Sequence, residues 1–201
     1  SAITKTTVDV TLAEKQDAAP AVDKFNIKVN DADVAATAVA LKTGTEKTYT
    51  LTIPTLDNKE GNITVNGTAP AAKVAVGSDF DFDFKKPSIV SVQAKNSTTI
   101  EVVFSEKMNK VAAETKGNYD VKRVSIGLSN TVNTTVLGAD GKTVTLTINT
   151  AMIDAPNGYV LELVSTAGAG VTDLAANKIL ASERIFDGSA IADAAAPKVA
   201  L

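Results

Sequence analysis

Polar and apolar residues alternate along most of this chain, and the alternation predicts strands. Thr143-Val144-Thr145-Leu146-Thr147-Ile148 alternates without a break, which places Val144, Leu146 and Ile148 on one face. Gly138-Ala139-Asp140-Gly141 precedes it and reads as a hairpin turn. The same reading puts strands near 88–94, 98–104, 117–125, 131–138, 142–148, 158–165 and 178–187. A short helix is expected at Lys110–Thr115, ending at Lys116-Gly117. In the first half, Val34–Leu41 and Glu46–Ile53 form a hairpin around Thr43-Gly44, and Asn62–Val65, Lys73–Val76 and Phe80–Phe84 supply further strands.

The pattern then repeats. Thr6–Lys15 aligns with Thr98–Lys107 at an offset of 92, with five of ten residues identical. Phe25-Asn26-Ile27-Lys28 aligns with Tyr119-Asp120-Val121-Lys122 at an offset of 94. Lys47–Thr55 aligns with Lys142–Thr150 at an offset of 95, with seven of nine identical. Three matches in one order at nearly constant offset mark an internal duplication. Pro87-Ser88-Ile89-Val90-Ser91-Val92 is echoed again by Pro197-Lys198-Val199-Ala200-Leu201, each a Pro followed by alternating aliphatics. Pro suits the first residue of a strand.

These matches divide the chain into a domain at 1–86, a domain at 87–193, and a linker at 194–201 that begins a third repeat. Each full repeat has the roughly 100-residue length of an immunoglobulin-like sandwich. The fold class expected is therefore all-β, two tandem immunoglobulin-like β-sandwiches. The opening strand of the first domain, counterpart of 88–94, falls before Ser1 in this register. It is expected to be missing, truncated or supplied by another chain, as in a fragment of a longer tandem array.

Composition narrows the chemistry. The 201 residues include 31 Ala, 25 Thr and 23 Val, with six Phe, three Tyr and no Trp. Absence of Cys excludes disulfides and thiolate metal sites. Absence of His removes the commonest general base and neutral metal ligand. The net charge of −3 argues against a nucleic-acid partner. No apolar run is long enough to span a membrane, and the N-terminal residues do not form a signal peptide. A sugar-stacking platform is poorly served by so few aromatics. What remains is an acidic, Thr-rich β protein with no catalytic site expected.

One segment invites a ligand. Asp79, Asp81 and Asp83 alternate with Phe80, Phe82 and Phe84, so a strand there places carboxylates on one face and rings on the other. Rings should win the inward face, since burying one contributes about 1.5–3 kcal/mol. Same-face carboxylates about 7 Å apart repel one another unless compensated. Lys85 and Lys86 can compensate them, or Ca²⁺ can, being a hard cation suited to clustered oxygen ligands. Asp57–Asn62 lacks the spacing of a calcium loop and reads as a polar turn. Asp173 and Asn177 read as hydrogen-bonding within their own loop. Glu14 and Glu106 match each other in the repeat, which points to a structural contact. Asn62, Asn66, Asn96 and Asn133 each open an Asn-x-Thr triplet, which this much Thr produces by chance.

Pro87-x-Ile89-x-x-Val92, Val102–Met108, Asn118-Tyr119 and Asp173-Leu174-Ala175-Ala176-Asn177-Lys178-Ile179 resemble a bacterial Ig-like domain family typical of Gram-positive surface-layer (S-layer) proteins. Val65-Asn66-Gly67-Thr68 and Tyr49-Thr50-Leu51-Thr52 look like S-layer repeat sequence as well. The resemblance covers roughly residues 6–187. It implies an extracellular structural protein at the cell surface, partnered by other copies of itself in a two-dimensional lattice, with calcium as a possible assembly cofactor. The alternative is a set of spacer domains in a secreted surface enzyme or adhesin. Lattice symmetry and lateral contact residues are not legible from the sequence.

Overall fold

The computed structural model describes residues 3–67, 78–164, 170–180 and 182–191. The chain divides into two compact units, Ser1–Lys85 and Lys86–Leu201. Both are all-β, and each is built from two antiparallel sheets whose apolar faces form a core.

In unit 1 the strands are β1 (Thr7–Thr11), β2 (Phe25–Val29), β3 (Ala32–Val34), β4 (Ala38–Leu41), β5 (Thr48–Thr52), β6 (Glu60–Gly67) and β7 (Ser78–Asp83). One sheet has the order β1-β5-β4 and the other β3-β2-β6-β7. Alternation sets the faces. Val8, Val10, Tyr49 and Leu51 from the first sheet and Ile27, Ile63 and Val65 from the second are almost wholly buried. The β2–β3 hairpin turns on Asn30 and Asp31, both at positive φ (48° and 65°), the signature of a tight hairpin turn. Asn30 then fixes the next strand, accepting from the Asn62 amide at 2.9 Å. A Cβ at Gly61 would stand 1.8 Å from Asn30 Oδ1, so only glycine fits there.

Unit 2 contains β8 (Ile89–Ala94), β9 (Thr99–Phe104), the four-residue helix α1 (Lys110–Ala113), β10 (Tyr119–Arg123), β11 (Leu128–Asn130), β12 (Val132–Leu137), β13 (Thr143–Ile148), β14 (Ala155–Leu163) and β15 (Glu183–Gly188). Its sheets have the orders β12-β13-β9-β8 and β11-β10-β14-β15. Helix α1 starts where Asn109 Oδ1 accepts the Ala112 amide at 3.1 Å, an N-cap.

The two units share strand order and register. Val8 pairs with Leu51 and Val10 with Tyr49 in unit 1, while Ile100 pairs with Leu146 and Val102 with Val144 in unit 2. The sequence offsets of 92 and 95 predict these pairs. Ile27 opposite Val65 likewise matches Val121 opposite Leu161. Core volume is redistributed between the copies. Unit 1 carries its ring on β5 (Tyr49) and an aliphatic residue at Leu12, whereas unit 2 carries Phe104 and Val144 at those places. Such an exchange keeps total volume, which a close-packed core tolerates.

Several expected boundaries shift. The single strand expected at Val34–Leu41 is two strands, β3 and β4, that enter different sheets; Ala36, buried between them, turns the corner. The stretch expected as one strand at 117–125 opens with a 3-10 turn at Lys116–Asn118. The strand expected at 178–187 begins at Glu183. Lys73–Val76 lies outside the described residues. The sheet of β9 has a fourth strand, β8, on its outer edge; among the described residues the matching edge of β1 has none.

Candidate functional site

Strand β7 carries the sequence's one concentrated acidic pattern. It pairs along β6 with Asp83 opposite Glu60, Phe82 opposite Gly61, Asp81 opposite Asn62, Phe80 opposite Ile63 and Asp79 opposite Thr64. Phe82 is buried and Phe80 and Phe84 are half-buried against the unit 1 core. The Phe82 and Phe84 rings stack with centroids 5.8 Å apart. The carboxylates take the other face: Asp81 is exposed and Asp83 half-buried, and Asp79 is placed by its backbone.

Compensation on this face comes from Lys85. Its backbone amide donates to Asp83 Oδ1 at 3.0 Å and its ammonium lies 2.6 Å from Glu60 Oε1. Glu60 was not anticipated as part of the cluster; its signal was its place on the strand that pairs with 78–83. An exposed pair of this kind contributes at most about 1 kcal/mol. The donor set is all carboxylate and amide oxygen, the chemistry that hard cations accept. Asp81 and Asp83, alternate residues of one strand, lie too far apart along it to chelate one ion through adjacent oxygens. A bound cation would draw on cross-strand oxygens such as those of Glu60 and Asn62.

The remaining candidates have structural employment. Asp57 pairs with Lys5, and Asn58 takes a positive φ of 58° in a turn closed by the Lys59 amide on Leu56 O. Asp173, almost wholly buried, accepts the Asn177 amide at 2.8 Å and its side-chain amide at 2.9 Å, which is the local loop expected of it. Glu14 is exposed while its repeat counterpart Glu106 is half-buried.

Asp9 was missed by sequence reading. It is 7% exposed, between Val8 and Val10, and is held by the Lys42 ammonium and the Thr50 hydroxyl (2.7 Å). Burial alone would raise its carboxyl, but the Lys42 and Thr50 hydrogen bonds outweigh that and leave it below the usual range. Asp140 caps the β12–β13 turn. The Thr143 hydroxyl and the Thr143 and Lys142 amides all donate to it and hold its pKa down to about 2. Burial pushes the Tyr119 hydroxyl up; it donates to Ala113 O at 2.7 Å.

Unit 2 has an open cleft of about 420 Å³ lined by Gln93, Asn157, Asp187 and Ser189 among others. Its one acid, Asp187, accepts the Asn157 amide at 2.7 Å. Glycoside hydrolysis needs two opposed carboxyl groups, which this cleft does not offer. No helix among the described residues is long and apolar enough to cross a membrane.

The molecule is thus an all-β protein of two units with one strand order, whose polar clusters mostly serve turns and sheet faces. No family model matches the chain, and no curated protein matches it. Among solved structures, it is similar to the N-terminal part of the bacterial S-layer protein SbsC, to domains 1–6 of surface layer protein SbsC and to rSbsC(31–844). In each case the TM-score is 0.46 and the identity 21% over 51% of this chain. The aligned part spans 23% of the first of those chains and 14% of the other two.

Proposed function

We propose that this chain is a structural protein, not an enzyme: a pair of Ig-like modules of a self-assembling S-layer lattice on the outside of a cell. The observation that carries the reading is the repeat itself. Two copies keep one strand order and one register while their surfaces diverge, as expected when selection acts on a stackable shape. The sequence resemblance to Gram-positive S-layer Ig-like domains supports the same reading. Partners are then other copies of the protein, and lattice symmetry multiplies weak contacts.

Calcium is proposed as an assembly ion at Asp79, Asp81 and Asp83. The support is the alternation of acids with core-facing rings and the oxygen-only donors beside them.

The test is direct. Antibodies against the chain should label intact cells of the source organism, and the purified protein should form ordered sheets under the electron microscope. Labelling that requires cell lysis contradicts the surface reading. Sheets that form equally in calcium and in chelator contradict the calcium proposal alone.

A further inference from the structure

We infer that the open edge of β1 accepts an extended segment of the β8 type, and that Pro197–Leu201 of a second copy of this chain supplies it. The starting point is the ladder. Thr6 O accepts from the Ile53 amide and the Leu12 amide donates to Lys47 O, so even-numbered residues of this stretch bond to β5. By the alternation of antiparallel pairs, Thr7, Asp9 and Thr11 turn their amides and carbonyls to the opposite edge. The equivalent residues of β9, Thr99, Glu101 and Val103, face β8, where Gln93 lies opposite Glu101 and Ser91 opposite Val103.

Part of the β1 edge is already served. The Thr4 amide donates to Thr7 O at 2.8 Å, the Thr7 amide donates to Thr4 Oγ1 at 3.0 Å, and Ile3 bridges to Val8. In unit 2 the Lys95 amide donates to Thr99 O at 2.9 Å and Ala94 pairs with Ile100. Ile3 and Thr4 therefore stand where Ala94 and Lys95 stand. What lacks a counterpart, among the described residues, is the other half of β8, from Pro87 to Ser91, which runs beside Val103 and Phe104. Asp9 and Thr11 present its unpaired backbone groups. An unpaired edge is a template for another strand.

Pro197-Lys198-Val199-Ala200-Leu201 repeats that half, with Pro197 at the place of Pro87 and Val199 at that of Ile89, a buried core residue. Residues 197–201 lie outside the described residues and enter here by sequence alone. The flank is apolar to match. In unit 2, β15 borders β8, with Arg184 Nη2 donating to Ile89 O at 3.1 Å. The corresponding strand of unit 1, β7, carries the half-buried rings of Phe80 and Phe84.

Chain order names the donor. Strand β8 follows the last strand of unit 1 and completes the next unit. By the same order the segment following β15 completes the unit after that, which for a chain of two units is unit 1 of another copy. The contact is head-to-tail, so it propagates into linear assemblies. It does not depend on the lattice reading, which stands on lateral contacts even if this edge stays empty.

The experiment is sedimentation velocity over a concentration series. It compares the 201-residue chain, the same chain lacking 197–201, and Thr11→Pro. The Thr11 amide faces the open edge, so proline there removes a donor without touching the β5 ladder. Retained amide protection at Val10 and Leu51 verifies that Thr11→Pro folds. The intact chain should associate, and both changes should weaken association by at least about tenfold. Excess peptide of sequence 195–201 should return the intact chain to monomer. The inference is overturned if the intact chain stays monomeric, if both altered chains associate as well as it does, or if a scrambled peptide competes equally. It is also overturned if deletion lowers the melting temperature of a chain that never associates, since the segment would then serve its own molecule.

Discussion

Strands β1 and β9 are the same strand twice, and their surroundings differ on one side. Both bury three alternate residues, Val8, Val10 and Leu12 in one and Ile100, Val102 and Phe104 in the other. Both pair with the hairpin that follows, in matching register. On its far side β9 has β8, which brings Ile89 into the core and packs Val92 and Ala94 against it. On the far side of β1 only Ile3 and Thr4 are in place. The core face of a strand is thus set by its own alternation, whereas its edge depends on another segment. Unit 1 draws correspondingly more on β7, whose three rings reach its core.

The largest effect expected follows from that reliance. Phe82→Ala should cost about 3–5 kcal/mol of unit 1 stability. Asp81→Asn, one residue away on the exposed face, should change it by less than about 0.5 kcal/mol. Local stabilities from hydrogen exchange in the intact chain check both. A large cost at Asp81 would mean that the acid face is structural.

Next come the equivalent leucines. Leu51→Ala and Leu146→Ala should each cost about 2–5 kcal/mol, since both side chains are fully buried. Leu146 should cost more, because a strand flanked on both sides collapses less readily around a cavity. Equal costs, or a larger one at Leu51, would show that the open edge does not loosen the first core.

A cap separates the connections after β1 and β9. Unit 2 has helix α1 with the Asn109 cap, whereas the short turn at Val22–Lys24 of unit 1 has no side-chain cap. Asn109→Ala should cost about 1 kcal/mol, read as faster exchange of the Ala112 amide with unit 1 unchanged.

The hairpin turns differ in charge. The unit 1 turn is held by the Thr45 hydroxyl, which donates to the carbonyls of Lys42 and Thr48, and the unit 2 turn by the Asp140 carboxylate. Asp140 has a folded-state pKa of about 2, below its ordinary value of 3.8. In that interval the unfolded chain binds more protons, so stability rises with pH. The contribution is complete above the ordinary value and is lost as pH falls toward 2. Asp140→Asn should flatten the acid limb of unit 2 between about pH 4 and pH 2 and leave unit 1 as it was. An unchanged acid limb would contradict the assignment.

Much of this was legible because strand alternation has a period of two and the repeat supplied a second reading of each strand. The pairs Val8–Leu51 and Ile100–Leu146 follow from the offsets alone, and the Asp–Phe run announced its own two faces. The corner at Ala36 was not legible. Val34-Ala35-Ala36-Thr37-Ala38-Val39 has no turn residue, and small apolar side chains are compatible with either sheet, so one strand and two look alike. Glu60 was invisible as a member of the acidic face because cross-strand register joins it to Asp83, 23 residues away. Asp9 was hidden for the same reason: its partners Lys42 and Thr50 come from the neighbouring hairpin.

The central claim is that β1 and β9 are equivalent in the core and unequal at the edge. Amide exchange of the dilute, monomeric chain tests it at four positions. Asp9 and Thr11 should exchange close to the unprotected rate, while Val10 in the same strand stays protected. Their counterparts Glu101 and Val103 should be as slow as Val102. Equal protection of Asp9, Thr11, Glu101 and Val103 in the monomer would contradict it.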